Sequence, residues 1–449
     1  MIILPIRRVA VLGCGAMGRQ MAALCANAGL EVDLFGLPRP NGAPGHQACQ
    51  ALETLRSAWP PPLACPEAAH AINPCDYAHH LDHLRRCDLV VEAVAEQRDT
   101  KLGFLARIVP HLQRWTLIAT TTESLSVAEL ALALPEGLRE RFCGVHCFLP
   151  LRYRTLVELV PGERTDPRVL DALEDFCVTV LGRDVVRAFD RSISMAERID
   201  LFATASALHY TQAFDLLPEA VDALAGPFIE RPLARIERRG WDDFTRRLAR
   251  AHATLADDPW RERFTLPSGL VHHLAAAEEA IHRVEGGVTR VFDLKAGRHP
   301  PALSPAVSAP QPEDGGLDLE QQPFTWALWR DVCHYCAHHL ADLAPCARHV
   351  DHALRLGAGW PLGPFEHWQQ LGWQTVAKAI AADIEAGDTP VALPLPSWAL
   401  AIDAVHTPRG SYAPERRRHC PRSSLACYRR QDRVLPWWGR PQCATGCQC

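Results

Sequence analysis

The sequence predicts an α/β unit with a mostly parallel sheet, followed by an all-α region built from two similar halves. Three observations carry this. Short apolar runs alternate with amphipathic stretches up to about residue 188, the pattern of strands wrapped by helices. Beyond Asp190 the period becomes helical. Two glycine-containing segments, Val221-Asp222-Ala223-Leu224-Ala225-Gly226-Pro227 and Gly357-Ala358-Gly359-Trp360-Pro361-Leu362-Gly363-Pro364-Phe365-Glu366, punctuate the helical part at comparable places. The expected domains are 1–188, 189–293, a linker at 294–322, 323–400 and a tail at 401–449.

At the start, Arg7-Arg8-Val9-Ala10-Val11-Leu12 reads as a short buried strand, and Gly13-Cys14-Gly15-Ala16-Met17-Gly18 leads into an apolar-periodic stretch from Met21 to Ala28. The first glycine permits a tight turn, the second lets backbone approach a pyrophosphate, and the third lets helix pack on strand. With a second strand at Leu30–Phe35, this is the context of a Rossmann dinucleotide turn, the helix N-terminus facing the phosphates. Gly13, Gly15, Ala16, Met17 and Gly18 are the candidate cofactor-binding residues. An acid usually ends the second strand to hold the ribose hydroxyls, yet Gly36 stands there. Arg39 lies close by, so a 2′-phosphate cofactor is the alternative to NAD.

Next come Asp88-Leu89-Val90-Val91-Glu92-Ala93-Val94-Ala95-Glu96 with Lys101, then Leu117-Ile118-Ala119-Thr120-Thr121-Thr122-Glu123-Ser124-Leu125-Ser126. Between two further apolar runs, Gly144-Val145-His146-Cys147-Phe148-Leu149-Pro150 and Leu156-Val157-Glu158-Leu159-Val160, a histidine and a glutamate stand twelve residues apart. A carboxylate on a neighbouring strand can fix an imidazole's tautomer and stabilise its cation, which a general base requires.

In order and spacing these segments resemble the 3-hydroxyacyl-CoA dehydrogenases. The glycine segments resemble that family's helical, 6-phosphogluconate-dehydrogenase-like C-terminal domain, in two copies. The chain is similar to the N-terminal part of a long bacterial form that carries an enoyl-CoA hydratase module after two such domains, a module missing here. The resemblance implies oxidation of a 3-hydroxyacyl-CoA to the 3-oxoacyl-CoA in fatty-acid β-oxidation, with hydride passing to NAD. It makes His146 the acceptor of the hydroxyl proton and Glu158 the residue that orients it, and it places Glu96 and Lys101 against NAD. Lys101 is one of only three lysines among the 47 lysines and arginines.

Departures from the family are specific. Its substrate-binding serine falls on Glu123, its asparagine after the two aromatics on Leu149, a further asparagine on Glu197 before Arg198, and a lysine on Arg283. Carboxylates at 123 and 197 are expected to repel a polyanionic substrate and to favour the imidazolium of His146, disabling it as a base. Three functions therefore stand: a working dehydrogenase, a dinucleotide- or acyl-CoA-binding homologue without turnover, and the relic of a decaying gene.

Composition limits the partners. At 449 residues, 48% hydrophobic and 22% charged, the chain can bury several cores. A formal charge of −5 gives no reason to expect nucleic acid or an anionic membrane. No secretory core and no run of about eighteen apolar residues is visible, which points to a cytoplasmic protein without a membrane span. The acyl-CoA cleft is expected to be closed by the duplicated helical domain, leaving monomer or homodimer open.

Seventeen cysteines do not make a metal site. Cys14, Cys25, Cys87, Cys143, Cys147 and Cys177 sit in predicted strands and helices as small apolar residues. Cys333, His334, Cys336, His338 and His339 share an ordinary helix without a second ligand pair, so no metal is expected. His79, His80 and His83 read as a solvated helix face. Helices are expected at Ala196–Phe214, Leu217–Leu224, Trp241–Ala256, Leu270–Ala280, Phe324–Leu343, Ala347–Leu356 and Val376–Ala386. The stretch Asp432–Cys449, with Cys443, Cys447 and Cys449, loses apolar period and reads as disordered or frame-altered rather than as a zinc knuckle.

Overall fold

In the computed structural model, residues 5–39, 42–216, 218–226, 228–229, 231–268, 282–286, 288–291, 301, 323–421 and 423–428 are described. The chain divides into two compact units, Met1–Ser194 with Ser423–Cys449 and Met195–Arg422, each considered over its described residues.

The first unit is a Rossmann-type sheet of eight strands: β1 (Arg8–Leu12), β2 (Glu31–Gly36), β3 (Ile72–Asp76), β4 (Leu89–Glu92), β5 (Leu117–Thr120), β6 (Phe142–Cys147), β7 (Leu156–Pro161) and β8 (Asp184–Arg187). Their order is β3-β2-β1-β4-β5-β6-β7-β8. Strands β1 to β6 run parallel, and β7 reverses against β6. Val9 to Leu12 are wholly buried, because a parallel sheet covered on both faces needs apolar side chains on both. The chain order reverses at β1 and β4, and there, at the carboxyl ends, such folds bind ligands. Helix α1 (Ala16–Asn27) starts at that point.

In the second unit, the long helices Met195–Ala213 and Pro323–Leu343 pack together, with Phe202 stacked on Tyr335 at 4.0 Å between ring centroids. Each leads to a shorter helix held by one buried aspartate. Asp222 accepts from the N–H groups of Leu233 and Ala234 in Pro232–Arg239, and Asp351 from those of Phe365 and Glu366 in Pro364–Gln370. Both helices begin with proline, which needs no donor at that position.

Several expectations change. Pro232–Arg239 is a helix that the apolar pattern did not predict, because four of its eight residues are charged. The helix from Ala347 ends at Ala353 and widens into a π turn, Leu354–Ala358. The expected tail contains a three-stranded antiparallel sheet, His406–Thr407, Gly410–Ala413 and Arg418–Cys420. The histidines are not one solvated face. His79 and His80 turn back onto Asp76, and His83, on a 3-10 turn, reaches Cys75 Sγ at 3.5 Å. The expected helix Leu270–Ala280, Asp432–Cys449 and the linker 294–322 apart from Pro301 lie outside the described residues. Among the described residues no helix is long and apolar enough to cross a membrane.

Candidate active site

The turn after β1 separates packing glycines from an open one. Gly13 has φ +126, and a Cβ there would stand 2.3 Å from Ala93 O; at Gly18 it would stand 2.0 Å from Gly13 O. Both positions hold strand, turn and helix together, leaving no room for a side chain. Around Gly15 a Cβ would meet nothing within 4 Å, and Gly15 and Ala16 are exposed with Met17 half-buried. Gly15 is also the N-cap of α1 and lacks a side-chain cap. Bare N–H groups, an open shelf and the positive helix end fit a dinucleotide pyrophosphate. Cys14 beside it is no nucleophile, since burial, against the opposing charge of Arg19, pushes its thiol up to about 12.

Beyond β4 the loop is pinned by carboxylates. Glu92, wholly buried, accepts Lys101 Nζ at 2.9 and 3.0 Å, Thr120 Oγ1 at 2.6 Å and the Val94 N–H at 2.7 Å. Glu96 Oε1 gathers Thr122 Oγ1 and the backbone N–H groups of Glu123 and Ser124, while its Oε2 lies 3.3 Å from Lys101 Nζ. Burial opposes ionisation of Glu96, but the Thr122 hydrogen bond, the Lys101 charge and the two N–H groups outweigh it and hold the carboxyl below its ordinary range. Lys101 is 1% exposed. It ties Glu92 to Glu96 inside the protein, at the base of the loop where the family resemblance expects it against NAD. Glu92 escaped sequence reasoning, although an acid within an apolar strand was the available sign.

The third cluster crosses from β6 to β7. The register sets His146 opposite Glu158, with Nδ1 and Oε2 3.7 Å apart, longer than a direct hydrogen bond but close enough for the charges to couple. His146 is 5% and Glu158 0% exposed. Phe148 meets the imidazole edge-on at 4.6 Å between centroids and limits its rotation. On the ring's other side, Glu123 Oε1 lies 4.0 Å from Nε2, and Glu123 is half-exposed. The structure thus brings His146, Glu158 and Glu123 together.

Glu197 is different. Its Oε1 accepts from Arg247 Nε at 2.8 Å and Arg250 at 2.9 Å within the second unit, so the expected repelling carboxylate is neutralised by two guanidinium groups. Arg198 beside it is engaged by Asp258 and Tyr335. Leu149 is 38% exposed, and Arg283 falls on a strand whose side chain is outside the described residues. Among the described residues, Asp33, Cys75 and His83 are the only group able to approach one ion together, although Arg8 and Asn73 already engage Asp33.

Known proteins resemble this chain in sequence and in fold. Residues 8–191 match the family described as 3-hydroxyacyl-CoA dehydrogenase, NAD binding domain. A probable 3-hydroxyacyl-CoA dehydrogenase of Bacillus subtilis is 28% identical over 413 residues, 84% of this chain and 52% of that protein. The chain therefore spans about half the length of that relative. A 3-hydroxybutyryl-CoA dehydrogenase of Mycobacterium tuberculosis is 30% identical over 232 residues, 51% of this chain and 79% of its own. The crystal structure of 3-hydroxybutyryl-CoA dehydrogenase from Escherichia coli K12 shares the fold, with a TM-score of 0.68 at 19% identity over 89% of this chain and 99% of that one.

Proposed function

The chain belongs to the 3-hydroxyacyl-CoA dehydrogenase family and carries its NAD-binding domain; from that premise we propose that it oxidises a 3-hydroxyacyl-CoA to the 3-oxoacyl-CoA in fatty-acid β-oxidation. The carrying observation is the cross-strand pair His146 and Glu158, both buried, at the end of a sheet whose glycine turn has an open shelf at Gly15. Bound on that shelf, NAD supplies the hydride acceptor. His146 takes the substrate hydroxyl proton at Nε2, the nitrogen turned away from Glu158. Glu158 keeps the other nitrogen protonated and offsets the cation's charge. Glu96 and Lys101 shape the loop that borders the cofactor. The shared device of Asp222 and Asp351, each capping a proline-led helix after a long helix, supports a duplicated helical domain.

The test is NADH oxidation with acetoacetyl-CoA, the reverse reaction. Turnover that falls by about a hundredfold or more in both His146→Ala and Glu158→Gln supports the dehydrogenase. Turnover indifferent to both variants sinks it.

A second reading, dinucleotide or acyl-CoA binding without turnover, is favoured by one observation: Glu123 stands where the proton must arrive. Saturable NADH binding in a protein that turns nothing over would select it.

A further inference from the structure

From the end of β2 we infer that the adenosine end of this site also accepts a 2′-phosphate, so that NADP binds alongside NAD. The inference rests on the dinucleotide reading and goes beyond it. In Rossmann domains an acid at this place hydrogen-bonds the ribose hydroxyls and repels a 2′-phosphate. Gly36 supplies no such group, and the fold gives none room. A Cβ at Gly36 would stand 2.9 Å from both Cβ and Oε1 of Gln47 and 3.0 Å from Cys14 Sγ. The neutral Gln47 side chain fills the place, its Oε1 accepting from the Leu37 N–H.

The adjacent strand end does carry a carboxylate, for Asp76 pairs in register with Gly36. That side chain is turned inward. Asp76 is 1% exposed and accepts from the N–H groups of Gly45, Ala78 and His79 and from the His79 ring. Burial opposes its charge, but these donors hold its carboxyl far below the ordinary range, so its lone pairs are committed.

Basic groups stand close in the chain to this edge, His46 being the neighbour of Gln47. Arg39 lies three residues beyond Gly36, its stem against Gly42, where a Cβ would stand 2.9 Å from Arg39 Cβ. Its Nη1 lies 2.8 Å from His46 Nε2, at the first residue of helix His46–Ser57. Among the described residues no carboxylate pairs with Arg39, whose remaining N–H groups point to a phosphate as the group that would satisfy them.

The experiment is fluorescence titration of the full chain with NADH and NADPH at low and high salt. The expected result is a Kd for NADPH within about tenfold of that for NADH, the ratio worsening with salt because Arg39 is exposed. Arg39→Ala raises the NADPH constant about tenfold more than the NADH constant, one charge-assisted contact's worth. The combined change Gly36→Asp, Gln47→Gly and Cys14→Ala, which removes the three atoms nearest a Cβ at position 36, shifts preference back to NADH. Tight NADH binding with NADPH weaker by more than about tenfold overturns the inference while leaving the dinucleotide reading intact. An Arg39→Ala variant with an unchanged ratio also overturns it, and a protein that binds neither nucleotide overturns both.

Discussion

His146 Nε2 and Glu123 Oε1 lie 4.0 Å apart, on the side of the imidazole opposite Glu158. One histidine is thus set between two carboxylates. Glu158 is wholly buried and can only orient and stabilise. Glu123 is half-exposed and occupies the approach to the nitrogen that has to remain neutral to take a proton.

Glu123→Ser is therefore expected to raise the rate of NAD reduction with 3-hydroxybutyryl-CoA, the direction in which His146 takes up a proton. An ionised carboxylate at that distance favours the imidazolium over the neutral base, and it also repels a polyanionic thioester. The gain should be on the order of ten- to a hundredfold in kcat/KM, with the acid limb of the rate profile moving to lower pH. A variant no faster than the parent at every pH would show that Glu123 swings clear when substrate enters.

The three turn glycines should separate by what their substitution damages. Alanine at Gly13 or Gly18 drives a methyl into backbone oxygen at 2.3 or 2.0 Å, so thermal stability and nucleotide binding fall together. Alanine at Gly15 meets open space at an ordinary backbone φ of −65, and its cost to stability stays within about 1 kcal/mol. NADH binding should nonetheless weaken by about tenfold or more, because the methyl occupies the pyrophosphate shelf. Melting temperature beside fluorescence titration distinguishes the two kinds of damage.

What was legible in the sequence follows what is local. Val9–Leu12 and Leu89–Val91 announced themselves as strands because both their faces are buried, and Gly13, Gly15 and Gly18 because spacing dictates that turn. The pairing of His146 with Glu158 followed from two adjacent strands joined by a short loop. Long-range partners were not legible. The neutralisation of Glu197 comes from Arg247 and Arg250, half a domain away in sequence, and the place of a carboxylate beside Gly36 is filled by Gln47 from the next helix. Pro232–Arg239 hid because its buried residues Leu233 and Ile236 are outnumbered by charges, its start being set by the side chain of Asp222.

Lys101→Met should cost about 3–5 kcal/mol in urea unfolding, the range for removing one partner of a buried ion pair. At 1% exposure its ammonium is held by Glu92, Glu96 and the Val94 carbonyl, and its loss leaves the Glu92 carboxylate without its cation at 0% exposure. Adding Glu92→Gln should recover part of the loss. If Lys101→Met instead leaves stability unchanged and removes only NADH affinity, its role is at the cofactor.

The same cluster gives a pH dependence of definite sign. Glu96 is held below the ordinary glutamate value of 4.5, burial opposing and the Thr122, Lys101, Glu123 and Ser124 contacts prevailing. A carboxylate whose folded pKa is depressed binds its proton more readily in the unfolded chain. Its contribution to stability is complete above the unfolded value and is lost as pH falls through the folded one. Glu96→Gln keeps an acceptor for Thr122 but not the charge facing Lys101. Urea unfolding of parent and variant should therefore show the widest gap near neutrality, narrowing below about pH 4 as the parent's carboxyl takes up its proton. A gap that stays constant down to acid would mean that hydrogen-bond geometry alone, and not the ion pair with Lys101, makes Glu96 the anchor between the loop after β4 and the segment that carries Glu123.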